Sequence, residues 1–367
     1  MEMADYAQKE ADRVIRRLPV MMPGDVRFAF VPDLHYKSNE EMKVTVKNLV
    51  GAVNKISGAG SIEFLCLGGD NVGNYPPSRE DHLAMMRDLA ERLSFCEVPW
   101  LCLKGNHDDN SIHGAIEGTH TCRSGTEVPD DIQYEILFSH AEKYSNYHPA
   151  GKGLLYGYWD AEPSNTRFVF LNSSDIPYIT EPDGTLRYNG QWDNAYGGVQ
   201  LSWLCGTVLS HAPKHVIFLE HIPFDDIRHA ESVRIGGDAL DRITRAFVRG
   251  ETLCLSSDTP DFSYRIQADF RNGSHFIPAR IAGHCHCDTV TYDKAGFLSI
   301  TTMSAGRKIS GIAPDDAGIL YEREPYSASE TAMDIFTFSP LRQMIFATRY
   351  GSGVDRKFPL LYGEAKP

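Results

Sequence analysis

The sequence lacks the long apolar run that a secretory signal or a membrane span requires. Its first 23 residues are rich in charged side chains, and the apolar patch at residues 18–22 is far too short for either role. Several cysteines stand inside apolar runs at irregular spacings, as reduced core thiols do: Cys66, Cys96, Cys102, Cys205 and Cys254. We therefore expect a cytoplasmic protein with no membrane contact and no disulfide framework.

Dense runs of lysine or arginine are also missing. The chain has 36 basic and 49 acidic residues, a formal net charge of −13. Sequence-independent binding of nucleic acid depends on clustered basic side chains that neutralise phosphates, so we expect no stable nucleic-acid binding. A small phosphate ester fits better, because bound divalent cations would attract it into an otherwise acidic mouth.

No internal repeat, linker or low-complexity tract divides the chain, which favours a single domain over residues 1–367. Short apolar runs alternate with amphipathic segments in the first third, as in β-α-β units whose ligands gather at the carboxyl ends of the strands. Around this core the sequence predicts four further features: an N-terminal helix at about 4–18, insertions at about 109–153 and 173–198, and a C-terminal β extension at about 330–360.

Helix starts and late strands are also predicted from local patterns. Ser38 with Glu41, and Ser78 with Asp81, have the spacing of helix N-caps. Period-2 runs at 297–302, 334–339 and 343–349 predict antiparallel strands.

Five short motifs, each where a predicted strand gives way to a loop, supply seven candidate metal donors. They are Asp33-Leu34-His35, Gly69-Asp70, Gly105-Asn106-His107-Asp108, Glu220-His221 and Gly283-His284-Cys285-His286. The mixture of carboxylate, carboxamide and imidazole suits Mn, Fe, Zn or Ni better than an all-oxygen or an all-thiolate site.

The order of these donors predicts a two-metal hydrolytic centre. Asp70 can bridge two cations with its two oxygens, and metals about 3.5–4 Å apart can share a hydroxide that attacks a phosphate ester in line. One cation is predicted to bind Asp33, His35, Asp70 and His286, and the other Asp70, Asn106, His221 and His284. Glycines at 69, 105 and 283 permit the close backbone approach that such a centre needs.

His107 follows the candidate ligand Asn106 and so cannot easily enter the same coordination sphere. Beside the metals it can instead donate a proton to the leaving oxygen, with Asp108 as its orienting partner. We therefore predict His107 and Asp108 as the catalytic pair.

The order of motifs resembles that of the calcineurin-like metallophosphoesterase superfamily, in a bacterial or phage-type member related to its cyclic-nucleotide phosphodiesterase and purple-acid-phosphatase branch. The resemblance covers about residues 28–302 and fills every motif position. It implies an α/β fold, a four-layer αββα sandwich of two mixed sheets flanked by helices, in place of the doubly wound sheet that the first half alone suggests. It also implies two divalent metals and hydrolysis of a phosphomonoester or a small phosphodiester such as a cyclic nucleotide.

One position departs from the purple acid phosphatases, which carry a tyrosine ligand three residues after the bridging aspartate. Here that residue is Gly73, so a ferric-tyrosinate site is not expected. Mn, Fe(II), Zn and Ni remain open, because affinity trends alone do not select among them.

Other assignments remain open at this stage. The candidate substrate contacts are Asn71, His113, His229 and Arg349, although an arginine in a late antiparallel hairpin more often pairs with a surface carboxylate. Cys285 and Cys287 alternate with the ligand histidines and so face away from them in extended chain, which favours ordinary thiols over a Cys/His zinc site. A nuclease of the same superfamily and a non-catalytic metal-binding scaffold are the alternative functions.

Overall fold

The computed structural model describes residues 2–73, 76–224, 235–273, 275–292, 296–306 and 314–360. Its helices are α1 (Asp5–Arg17), α2 (Glu40–Gly60), α3 (Arg79–Leu93), α4 (Asp130–Gln133), α5 (Gly198–Trp203) and α6 (Gly237–Arg249). Its strands are β1 (Val26–Val31), β2 (Leu65–Leu67), β3 (Trp100–Cys102), β4 (Tyr147–Pro149), β5 (Gly157–Ala161), β6 (Thr166–Phe170), β7 (His215–Glu220), β8 (Thr252–Ser257), β9 (Tyr264–Asp269), β10 (Arg280–Ala282), β11 (Thr289–Tyr292), β12 (Leu298–Thr301), β13 (Ala332–Ser339), β14 (Met344–Gly351) and β15 (Arg356–Pro359).

Two mixed sheets form the centre of the molecule. The first has the strand order β15-β14-β13-β1-β2-β3, the second β11-β12-β10-β7-β6-β5-β4, and β8 and β9 form a separate hairpin. Strands β1, β2 and β3 are mutually parallel, whereas β13 runs antiparallel to β1. In the second sheet β6, β7, β10 and β12 are parallel. The prediction of two mixed sheets is therefore confirmed.

Alternation along the strands explains the four layers. In β1, Phe28 and Phe30 belong to the core between the sheets, whereas Ala29 and Val31 pack against α1, α2 and α3 on the outer face. Phe28 meets Phe168 of the opposite sheet with ring centroids 5.0 Å apart. Helices α5 and α6 cover the outer face of the second sheet. Because both faces of each sheet are buried, its strands are short continuous apolar runs.

The local predictions hold with a few corrections. The Ser78 side chain accepts from Asp81 N and caps α3 as predicted, but α2 is capped by Asn39, whose Oδ1 accepts from Met42 N at 2.9 Å, rather than by Ser38. Strand β12 is antiparallel only to β11 and is parallel to β10 on its other side. Cys254, predicted to be buried, is exposed on β8, because that hairpin lies outside both sheets.

The C-terminal strands lie inside the fold rather than beside it. Strand β13 pairs with β1 over five residue pairs, from Val26 with Phe338 to Phe30 with Asp334, and so completes the first sheet. This long-range pairing supports our proposal that the whole chain is one domain. No helix in the described part of the chain combines the length and apolar character needed to cross a membrane.

Candidate metal centre

The predicted donors meet at one edge of the sandwich, where strands of both sheets end. Asp33 and His35 follow β1, Asp70 follows β2 and Asn106 follows β3 in the first sheet. The other three candidate ligand histidines, 221, 284 and 286, follow β7 and β10 of the second sheet. Backbone hydrogen bonds join neighbouring loops: Asp33 N donates to Gly69 O at 2.9 Å, and His35 N donates to Asp70 O at 2.8 Å. Parallel strands bring their carboxyl ends to the same edge, as the sequence predicted.

One group of side chains could hold a first metal ion. It comprises Asp33, His35, Asp70 and His286, whose ligand atoms all lie within 4.8 Å of one another. His35 Nε2 is 3.3 Å from His286 Nε2, and His286 Nε2 is 3.4 Å from Asp33 Oδ1. His286 thus turns back toward Asp33, as its predicted role requires.

A second group shares Asp70 with the first. It adds His221 and His284, and Asn106 Oδ1 lies 3.1 Å from His221 Nε2 and 3.0 Å from His284 Nδ1. Asp70 presents Oδ2 to His35 Nε2 at 3.6 Å and Oδ1 to His221 Nε2 at 3.3 Å. Each carboxylate oxygen therefore faces a different group, which is the arrangement a bridging ligand needs.

The backbone of the centre adopts a conformation that L-residues rarely take. Five of the seven candidate ligands have left-handed φ values between 44° and 66°: Asp33, His35, Asp70, His284 and His286. Outside glycine, each such residue costs on the order of 1–2 kcal/mol. Concentrated strain of this kind is typical of functional sites, where the surrounding structure holds side chains in a required direction.

Three glycines make the close approach of the loops possible. A β-carbon on Gly105 would lie 2.0 Å from Asp70 N, and one on Gly69 would lie 2.5 Å from the His221 ring. A β-carbon on Gly283 would lie 2.8 Å from Asp33 Oδ2. The predicted reason for these glycines is therefore confirmed by the contacts.

Hydrogen bonds behind the ligands orient them. His221 Nδ1 is 2.8 Å from Gly68 O, so Nδ1 donates to this carbonyl and Nε2 is left for the metal. His284 N donates to the Asp33 carboxylate at 3.0 Å. The neighbouring Glu220 is buried and accepts from Tyr196 Oη at 2.6 Å, which fixes the start of the His221 loop.

Burial and charge set the protonation of the imidazoles. Burial lowers the pKa of His35 to about 4, which keeps it neutral as a ligand must be. Burial acts in the same direction on His221, but the charges of Asp70 and Asp33 outweigh it and raise the pKa of His221 to about 9. Without cations, the two buried carboxylates thus hold a proton on this histidine.

His107 lies beside the bridging carboxylate. Its backbone N donates to Asp70 Oδ1 at 2.9 Å, and its ring Nε2 is 3.7 Å from Asp70 Oδ2. The ring is outside both ligand groups, as predicted, and keeps 17% of its side-chain surface exposed. Burial lowers its pKa. It is therefore placed beside the candidate ligand groups and within reach of solvent.

The Asp108 carboxylate joins two of the motif loops. It accepts from Gly105 N at 2.7 Å, Asn71 N at 2.8 Å, Val72 N at 3.1 Å and Asn71 Nδ2 at 2.9 Å. Burial, together with the charge of Asp70, raises the pKa of Asp108 to about 7. These contacts favour a role in holding the His107 backbone over a direct role at its ring, and the orienting role toward His107 stays a prediction.

The predicted substrate contacts are dispersed. Asn71 is buried, with Nδ2 engaged by Asp108 and by Leu103 O at 2.8 Å. His113 is exposed on the first insertion, and His229 lies outside the described residues. Arg349 is buried and forms ion pairs with Asp288 and Asp334. This placement supports the ion-pair alternative and does not support contact with substrate. The two carboxylates are buried, whereas the prediction had placed them on the surface. Cys285 and Cys287 are buried and belong to neither ligand group.

One supporting residue has no signal in the motifs. His82 of α3 is completely buried, and its Nε2 lies 2.9 Å from Asp108 O, so this nitrogen donates to the carbonyl that follows His107. Burial lowers the pKa of His82 and keeps it neutral. Only the packing of α3 against the loop reveals this contact, because His82 stands alone in a helical segment.

Comparison with known proteins agrees with this geometry. The profile of calcineurin-like phosphoesterases matches residues 26–261, well over half of the chain, and the chain belongs to this family. It is accordingly a metal-dependent phosphoesterase. A comparison with curated protein sequences finds no match.

Among solved structures, the chain is similar to a dimetal phosphatase from Danio rerio, with 13% identity and a TM-score of 0.60. The similarity covers 93% of this chain and 100% of that one, and it shows the fold. A 5'-nucleotidase from Candida albicans is more distant, with 12% identity, coverage of 78% and 47%, and a TM-score of 0.38.

Proposed function

We propose that the chain hydrolyses small phosphate esters, either phosphomonoesters or small phosphodiesters such as cyclic nucleotides, with two divalent metal ions. The observation that carries the proposal is the position of Asp70, whose two oxygens face two separate groups of ligand atoms. A single metal site would need only one of these groups.

The residues present fit a pair of cations. Asp33 and Asp70 are buried carboxylates, and in the described part of the chain their ion-pair partners are histidines and not lysine or arginine. Two divalent cations would compensate both buried carboxylates and leave the histidines free to bind as neutral ligands. Imidazole, carboxylate and carboxamide together favour Mn, Fe, Zn or Ni.

When bound, the cations supply an activated water at neutral pH and neutralise charge on the phosphoryl group. The chain holds them through the first group, Asp33, His35, Asp70 and His286, and the second group, Asp70, Asn106, His221 and His284. His107 donates a proton to the leaving oxygen from its place beside Asp70. A bound phosphate favours this role, because nearby negative charge raises the pKa that burial lowers.

The substrate is small rather than polymeric in this proposal. The net charge of −13 opposes a long polyanion, whereas a compact phosphate ester is attracted by the local charge of the cations. A nuclease of the same family is the competing possibility, and it predicts strong binding of nucleic acid that weakens with added salt.

Hydrolysis assays with defined metals test the proposal. Chelator-treated protein is supplied with Mn, Fe(II), Zn or Ni and assayed on nitrophenyl phosphate, bis-nitrophenyl phosphate, cyclic nucleotides and single-stranded DNA, beside elemental analysis. We expect metal-dependent turnover of at least one small ester and none of DNA. No metal-dependent turnover of any small ester would refute the function, and preferred cleavage of DNA would establish the nuclease instead.

A further inference from the structure

A buried ion-pair cluster lies behind the loop that carries His286. Arg349 Nη2 donates to Asp288 Oδ1 at 2.7 Å and to Asp334 Oδ2 at 2.9 Å, and its Nε donates to Asp334 Oδ1 at 2.9 Å. Arg356 approaches the same two carboxylates at 3.0 and 2.6 Å. Arg349 and Asp334 are only 1% exposed. We call these four residues the arginine–aspartate cluster.

This cluster is connected to two ligands of the first group. Asp288 stands two residues after His286, and its Oδ1 also accepts from Met303 N at 3.1 Å. The chain continues from Met303 to Ala305 N, which donates to Pro32 O at 2.8 Å, and to Gly306 N, which donates to Asp33 O at 3.0 Å. One buried carboxylate thus ties together the segments that hold His286 and Asp33.

The second group relies on different supports. His221 is oriented by Gly68 O and by the Glu220–Tyr196 contact. Asn106 lies in a loop that is held by two hydrogen bonds, one from Gly105 N to the Asp108 carboxylate and one from His82 Nε2 to Asp108 O. These contacts come from or follow β2, β3, β7 and α3 and include none of the four residues of the arginine–aspartate cluster. His284 is the exception in the second group, because it stands two residues before His286 on the same loop and its N donates to the Asp33 carboxylate. The cluster therefore supports two ligands of the first group, Asp33 and His286, but only His284 of the second.

We propose that Arg349 is a positioning residue for the first metal group, through which the C-terminal hairpin β13–β14 affects the affinity of the first metal more than that of the second. This inference rests on the proposed two-metal function. Removing the guanidinium leaves Asp288 with incomplete charge compensation in a buried position, and such a carboxylate moves toward water. The loops carrying His286 and Asp33 move with it.

The test compares Arg349→Met with Arg342→Met. Arg342 lies at the other end of the same hairpin and pairs with the buried Asp25, remote from the ligands. Mn(II) is titrated into each chelator-treated protein, and calorimetry and electron paramagnetic resonance resolve two sites and their magnetic coupling. Thermal unfolding shows whether the two variants lose comparable stability.

We expect Arg349→Met to weaken the first site by about 10- to 100-fold, the usual effect of losing a residue behind a ligand, and to weaken the second site by a smaller factor. The coupled two-metal spectrum then gives way to that of a single Mn(II). Arg342→Met keeps both sites. Arg349→Lys retains the positive charge but not the two-pronged guanidinium, so we expect it to weaken the same site to a smaller extent. This variant replaces Arg349→Met in the test if the methionine variant does not fold.

Unchanged first-site affinity in either Arg349 variant would overturn the inference and leave the proposed function standing. Equal loss in Arg349→Met and Arg342→Met would also overturn it, because the effect would then be one of general stability. If the unaltered protein binds no transition metal, the two-metal function itself fails, and this inference fails with it.

Discussion

Gly105→Ala perturbs the metal centre at its tightest backbone contact. The added β-carbon would lie 2.0 Å from Asp70 N and 2.1 Å from Asp70 Oδ1, whereas ordinary contact begins near 3.4 Å. The two loops must therefore separate by about 1.4 Å, the difference between 2.0 and 3.4 Å. The backbone of Asp70 resists this displacement, because its carbonyl oxygen accepts a hydrogen bond from His35 N at 2.8 Å.

This displacement acts on the one residue that both metal groups share. Overpacking of a dense interior costs about 1–3 kcal/mol of stability. A misplacement of about 1 Å in a catalytic constellation costs about 100-fold in rate. We therefore expect Gly105→Ala to fold with a lowered melting temperature, to lose affinity at both metal sites, and to lose about 100-fold in kcat/KM.

Gly58→Ala is the matched control. Gly58 lies inside α2, and a β-carbon there meets nothing within 4 Å. Alanine in a helix interior is about 0.5–1 kcal/mol more favourable than glycine, so this variant gains stability and keeps full activity. The assays are Mn-dependent hydrolysis of bis-nitrophenyl phosphate and calorimetric titration of Mn(II). Wild-type turnover with two bound metals in Gly105→Ala would refute the reasoning.

Three further predictions concern the ligands and the proton donor. Asp70→Asn should bind less metal by elemental analysis and lose turnover, since an amide does not offer two anionic oxygens; full occupancy and wild-type rate would contradict the bridging role. His107→Ala should retain both metals and lose about 10²- to 10⁴-fold in the rate of hydrolysis of alkyl phosphates, whose leaving groups need a proton. The rate on nitrophenyl phosphate should fall less, and an equal loss on both substrates would reject the proton-donor role. Metal binding must displace the proton of His221, so apparent metal affinity should rise with pH until the pH passes about 9. Proton release is measured calorimetrically in several buffers, and a flat profile would contradict the prediction. The raised pKa of His221 also contributes to the free energy of unfolding of the metal-free protein. This contribution is complete below about pH 6.5 and is lost as the pH rises through about 9, and thermal unfolding across that range measures it.

Local patterns predicted many of the fold's elements and all seven candidate donors. Helix α3 has the predicted start, because a capping serine acts within a few residues of chain. Within the first insertion the structure forms α4 followed by π and 3-10 turns, so its helical part is not one continuous α-helix. Hairpin β8–β9 was not predicted, because the apolar run around Cys254 is short and most other residues of the two strands are polar.

The identity of the seven donors, their order and their position at strand ends were determined by the sequence alone, and so was the family. The two groups were also predicted, but only the tertiary structure brings their members together, since His35 and His286 meet across 251 residues of chain. It also decided the left-handed backbone at five of them and the burial of Arg349 against Asp288 and Asp334. The physical reason is range: propensity and periodicity act between neighbours along the chain, whereas convergence on a metal and compensation of a buried charge depend on how two sheets pack.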